Sequence, residues 1–135
     1  MIAAREYGLR MTESLLTGFE IVASDNVPAI TLDNQRRFYI NVSARRLMGV
    51  SPYERLAIAY NPTDRHLAVI RPTAGLSARE SAELATSNYA IDKRYYMSAR
   101  HFAREYGYDE WDAPYTFVYE RGASDGSVFI FRLAL

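Results

Sequence analysis

Two segments of this chain, about 60 residues apart, carry the same order of residue types. Residues 38–50 read FYINVSARRLMGV and residues 95–108 read YYMSARHFAREYGY. Each runs from an aromatic pair through an apolar residue and small polar residues into a basic stretch that ends at a glycine. An aspartate opens a polar turn before each segment, at Asp33 and at Asp92. A duplication of this length predicts two units that pack together as a pseudo-two-fold pair. Short strands of this kind cannot stand alone, because an isolated two-stranded hairpin is marginal in water.

The rest of the chain reads as strands, turns and short helices around those segments. Residues 29–32 and 37–42 predict two strands flanking a turn at 34–36, and residues 43–48 a helix of little more than one turn stopped by Gly49. Residues 56–60 and 66–71 predict a strand pair, with turn chemistry in Asn61-Pro62-Thr63-Asp64 between them. Ser77 and Glu80 form a capping-box pattern that opens a helix running to about residue 85. A last strand pair is expected over 116–120 and 127–133, and a helix over 3–17 with Leu9, Leu15 and Leu16 as its apolar stripe. The division expected is 1–28 N-terminal helix and lead-in, 29–72 first repeat, 73–88 helical connector, and 89–135 second, degenerate repeat. The fold class expected is mainly β with short helices (α+β).

With 135 residues, half of them apolar, the chain has room for one packed domain or two small lobes sharing a core. Cysteine is absent, which removes disulfides, thiolate zinc sites and a cysteine nucleophile, and suits a reducing compartment. No apolar run approaches the ~20 residues that span a bilayer, so the expectation is a cytoplasmic protein with no membrane partner. Formal charge is zero overall, yet residues 29–72 hold seven arginines against Asp33, Glu54 and Asp64. The basic charge is concentrated on the first repeat. Almost all of it is arginine, whose planar fork grips phosphate or guanine in a way lysine cannot.

The pattern Asp33-x-x-x-Arg37-x-x-Ile40-x-x-x-x-Arg45-Arg46-x-Met48-Gly49-Val50, then Glu54 and Leu56-x-Ile58, resembles the AbrB-like family of swapped-hairpin transcription regulators (SpoVT-AbrB, MraZ, MazE). The likeness runs without a gap over roughly thirty residues. It implies a swapped-hairpin barrel built from two internal repeats, both in one chain as in MraZ. It also implies double-stranded DNA contact by Arg37 of the turn and by the paired Arg45 and Arg46. Arg36, Lys93 and Arg94 join them as candidate DNA-binding residues, because they stand in the same turn or its second copy. Two departures matter: Arg36 stands where the family has glycine, which implies a different turn shape, and Asn41 stands where it has proline. The second copy places Tyr95 or Tyr96 at the position of Arg37 and lacks the paired arginines; either it has lost DNA contact or it uses Lys93, Arg94, Arg100 and Arg104 instead.

Against that reading, Arg45 and Arg46 also fit the solvated face of a small helix, and Asp33 fits a structural turn cap. His66 and His101 lack partners at metal spacing. Ser43 and Ser98 lack a Gly-x-Ser-x-Gly context. The strand tyrosines read as core and cross-strand pairs. Asp109, Glu110 and Asp112 predict a solvated loop with Trp111 tucked against the barrel. Nothing here predicts an enzyme or a cofactor. The expected role is a DNA-binding transcription regulator that forms a homo-oligomer. The alternative is a protein-binding module on the same fold, engaging a host protein or acting as an antitoxin-like partner.

Overall fold

Asp33 shows why the chain reverses where it does. Its Oδ1 accepts from the backbone N–H groups of Gln35 and Arg37, both at 2.9 Å, while its own N–H donates to the Arg37 carbonyl. One short side chain thereby folds residues 33–37 into a tight turn. Asp92 repeats this: its Oδ1 accepts from Arg94 N–H at 2.8 Å and Tyr96 N–H at 3.0 Å, and its N–H donates to the Tyr96 carbonyl. Both turns place a positive φ just before the next strand, 58° at Arg36 and 68° at Tyr95. The arginine at a glycine position therefore keeps the left-handed turn; the aspartate bonds hold a backbone that glycine would adopt without strain.

The computed structural model describes residues 15, 17–20, 27–71, 77–123 and 126–134. The helix expected over 3–17 lies outside these residues apart from Leu15 and Thr17. In chain order the described elements are β1 (Ala29–Leu32), β2 (Arg37–Ile40), α1 (Val42–Met48), β3 (Arg55–Asn61), β4 (His66–Ile70) and α2 (Ala78–Leu84). There follow β5 (Tyr89–Ala90), β6 (Tyr96–Ser98), α3 (Arg100–Tyr106), β7 (Tyr115–Tyr119), a 3-10 turn (Arg121–Ala123) and β8 (Val128–Leu133). The protein is mainly β.

All strand pairs are antiparallel and lie in the order β5-β3-β4-β8-β7-β1-β2-β6. The two ends of that order, β5 and β6, are consecutive in the chain and joined by the Asp92 turn, so the sheet curls into a nearly closed barrel. Exchanging β1 with β5, β2 with β6, β3 with β7 and β4 with β8 leaves this circular order unchanged. Two ladders run across the exchange, β2–β6 centred on Phe38↔Met97 and β4–β8 centred on Ala68↔Ile130. Matching backbone bonds close the first ladder at both ends, Ile40 N–H to Tyr95 O at 3.1 Å and Ala99 N–H to Arg36 O at 2.8 Å.

Period-two alternation decides which side chains fill the barrel. On β2, Phe38 and Ile40 are buried while Arg37 and Tyr39 face out; on β6, Met97 is buried and Tyr96 and Ser98 face out. Phe38, Phe117, Phe131, Ile30 and Leu67 are fully buried, each worth about 1.5–3 kcal/mol of transfer free energy. Helices α1 and α3 cap this core through Ala44 and Met48 and through Phe102 and Ala103. Asn41 Oδ1 accepts from Ala44 N–H at 2.9 Å, capping α1, and from Ala29 N–H at 3.1 Å, tying the helix start to β1. Asn41 thus serves both as a helix cap and as a tie to the first strand. Both α1 and α3 end on a left-handed glycine, Gly49 at φ 67° and Gly107 at φ 73°. Ser77 and Glu80 make the reciprocal capping box that opens α2, at 3.0 and 3.1 Å.

Candidate nucleic-acid interface

The outward face of the β2–β6 ribbon is where the candidate arginines meet. Tyr39 and Tyr96 pair across the strands with ring centroids 4.9 Å apart. The Arg37 guanidinium lies 4.1 Å from the Tyr96 centroid, and Arg94 approaches the same ring at 5.7 Å. At the other side Arg45 stacks on Tyr95 at 3.9 Å and approaches Tyr39 at 5.4 Å. Arginines thus flank a tyrosine pair in one solvent-facing row, each guanidinium positioned by an aromatic face. The strand tyrosines expected in the core or in cross-strand pairs divide accordingly: Tyr39 and Tyr96 are cross-strand, but they face out.

Neighbours hold two of these arginines. Asp33 Oδ2 accepts from Arg37 Nε at 2.9 Å and pairs with its Nη2 at 2.8 Å. The Asp33 hydrogen bond raises the Arg37 guanidinium above its ordinary value. Arg45 donates through Nε to the Ile40 carbonyl at 2.9 Å and through Nη2 to Tyr39 Oη at 2.7 Å. Arg46, its sequence neighbour, is exposed. The paired arginines therefore differ in kind: one braces the ribbon, and the other is open to a ligand. Arg45→Ala is expected to lower the unfolding free energy by about 1–3 kcal/mol, and Arg46→Ala by less than about 0.5 kcal/mol, read from urea midpoints.

Lys93 and Arg94 are both exposed in the Asp92 turn, while Arg36 pairs through Nη2 with Glu110 Oε1 at 2.9 Å. The structure therefore brings Arg37, Arg45 and Arg94 into the row and sets Arg36 and Lys93 in the turns flanking it. Arg46 sits on α1 outside the row. Sequence reasoning missed Tyr39, Tyr95 and Tyr96 at this surface and named Arg100 only among the cations open to the second copy; alternation along β2 and β6 is the signal that would have placed both Tyr39 and Tyr96 beside Arg37. The turn bonds also settle the register, aligning Tyr96 with Arg37 and Tyr95 with Arg36. Arg71 is spoken for elsewhere: its Nη1 donates to the Met48 and Gly49 carbonyls at 3.0 and 3.2 Å, covering the end of α1.

Asp92 supplies a pH-dependent element. The N–H bond from Tyr96, then that from Arg94, holds its carboxyl below the ordinary value. A depressed folded pKa gives a stabilisation that is complete above the unfolded value, about 3.9, and is lost as pH falls through the folded one. Asp92→Asn keeps an acceptor for the turn but does not titrate. Its stability is expected to be flatter than that of the parent below about pH 4 in acid denaturation followed by circular dichroism.

Away from the ribbon, Trp111 is 88% exposed, not tucked against the barrel. The reason is local. Asp112 N–H donates to Asp109 Oδ1 at 3.0 Å and Tyr115 Oη to the Asp109 carbonyl at 3.0 Å, so the loop folds on itself while Tyr108 and Tyr115 take the barrel contacts. The Tyr60 and Tyr108 hydroxyls are hydrogen-bonded to each other. Burial first, and then that bond, push the Tyr108 phenol far above its ordinary value, so it stays protonated. Among the described residues no cluster of His, Asp and Glu could hold a metal ion, and no helix is long and apolar enough to cross a membrane. Comparison of the chain with protein-family models, curated proteins and solved structures gives no match.

Proposed function

We propose that this protein is a DNA-binding transcription regulator, a swapped-hairpin AbrB-like barrel made from two copies within one chain. The observation that carries this reading is the solvent-facing row of arginines and tyrosines on the β2–β6 ribbon, bracketed by two equivalent Asx turns that carry Arg36, Lys93 and Arg94. The identical turn bonds, the paired left-handed glycine caps and the strand order unchanged on exchange support the two-copy reading. The ribbon is two strands wide, an element that the ~12 Å major groove admits. Exposed Arg46, Lys93 and Arg94, with half-exposed Arg36, supply phosphate contacts, while Arg37, held by Asp33, keeps Nη1 for DNA and Arg45 braces the ribbon that presents them. Promoter occlusion follows from such binding. Because one basic face has modest affinity, a homo-oligomer engaging repeated sites in the cytoplasm completes the reading.

Binding of fluorescent duplex fragments by anisotropy tests it. The parent is expected to bind, and Lys93→Ala/Arg94→Ala to bind about tenfold more weakly across all fragments. Equal affinity of parent and variant contradicts the reading.

The exposed Trp111 amid Asp109, Glu110 and Asp112 favours a second reading, a protein-docking module. Trp111→Ala separates the two: DNA affinity is unchanged under the first reading, and capture of a protein partner is lost under the second.

A further inference from the structure

The two ends of the β2–β6 ribbon are not alike. At one end Tyr39 stands opposite Tyr96, and the Arg45 guanidinium packs over Tyr95 and Tyr39, filling the space. At the other end the residue opposite Arg37 is Ser98, whose short side chain leaves that space open. The result is a cavity of about 560 Å³ whose wall includes Arg36, Arg37, Tyr96, Ser98 and Arg100. Arg100 begins α3 in the second half of the chain, so the cavity joins the turn of one half to the helix of the other.

Its donors are unevenly engaged. Asp33 takes Nε and Nη2 of Arg37, which leaves Nη1 with its two N–H donors. Arg36 already meets one anionic oxygen, Glu110 Oε1 at 2.9 Å, in a pair half exposed on both sides. Arg100 is exposed and has no ion-pair partner among the described residues. Asp92 also lines the cavity, but its Oδ1 accepts the N–H bonds of its own turn. Three guanidiniums around one opening, with a serine hydroxyl beside them, match the singly charged phosphodiester group and its two non-bridging acceptor oxygens.

We propose that this cavity holds a backbone phosphate of bound DNA, gripped by Arg36, Arg37 and Arg100 with Ser98 as a further donor. It rests on the DNA-binding reading and adds a contact that the second half of the chain contributes. The phosphate replaces the Glu110 carboxylate on Arg36, so Glu110 competes with DNA for that guanidinium. Only one end of the ribbon has this grip, which fixes the direction in which the protein lies on a duplex.

The test is duplex binding by anisotropy over a salt series, with the parent, Arg100→Ala and Arg100→Lys, each checked for folding by its melting curve. Arg100→Ala is expected to bind about tenfold more weakly on every duplex and to lower the salt slope by about one. Arg100→Lys recovers the slope because it keeps the charge. Glu110→Gln is expected to tighten binding about threefold by freeing Arg36. If Arg100→Ala binds like a parent that does bind DNA, the cavity proposal falls and the ribbon reading stands. If the parent shows no salt-dependent duplex binding, both fall. A second arm titrates inorganic phosphate alone: shifts at Ser98 and Arg100 amides, together with unchanged duplex binding by Arg100→Ala, would assign the cavity to a free phosphate and overturn its assignment to DNA.

Discussion

Phe38→Ala is expected to lower the unfolding free energy by about 3–5 kcal/mol, a large share of the roughly 5–15 kcal/mol typical of a domain. Phe38 is fully buried at the centre of the β2–β6 ladder, opposite Met97. Its ring centroid lies 5.1 Å from that of Phe102 on α3 and 6.1 Å from that of Tyr89 on β5. Every one of those neighbours comes from the second half of the chain. Removing the ring therefore leaves a cavity where the two halves meet, and Tyr39 and Tyr96, the other large rings on the ladder, face outward and do not close it. Trp111→Ala removes a larger side chain, yet its indole is 88% exposed, so its expected effect is within about 0.5 kcal/mol. Urea denaturation of the two variants beside the parent checks both numbers; equal midpoints for the two would contradict the placement of the core.

Duplex affinity is expected to fall roughly a hundredfold between about 50 and about 200 mM salt, the slope produced by about four phosphate contacts. Four cations on or beside the ribbon carry that expectation: exposed Arg46, Lys93 and Arg94, and half-exposed Arg36. Arg46→Ala is expected to reduce the slope by about one with stability unchanged. Arg45→Ala is the informative contrast. Its guanidinium is bound to the Ile40 carbonyl and to Tyr39 Oη, so losing it loosens the ribbon and weakens DNA binding through the loss of order. A double variant of Arg45 and Arg46 would mix those two effects, whereas the single changes keep them apart. An affinity indifferent to salt would remove the electrostatic basis of the reading.

What the sequence announced well were features whose cause is local. Asp33 and Asp92 bond to backbone N–H groups two and four residues ahead, Gly49 and Gly107 end helices in the left-handed region, and Ser77 and Glu80 cap each other. Strand boundaries came within one or two residues wherever apolar alternation ran for four residues or more. Strand β5 had no such signal. Its two residues become a strand only through pairing with Arg55 and Leu56 of β3, a contact more than thirty residues away in the chain. The roles of Arg45 and Arg46 were equally hidden, since adjacent arginines look alike until Tyr39 and Tyr95 are brought alongside one of them. Arg100 was one of four cations open to the second copy, and nothing in the sequence singled it out, because its neighbours in the cavity come from turns and strands of both halves. Trp111 misled for a simple reason: a large apolar side chain argues for burial, but here the loop satisfies itself through Asp109 and leaves the indole in water.

The measurement that tests the central claim most directly is amide chemical-shift mapping of the isotope-labelled protein as a short duplex is added at low salt. The account predicts shifts concentrated in residues 33–39 and 92–100 and on the exposed side of α1 around Arg46, with the loop around Trp111 and the β4–β8 ladder unmoved. Shifts confined to that loop or that ladder, or none at all, would contradict a DNA-binding ribbon.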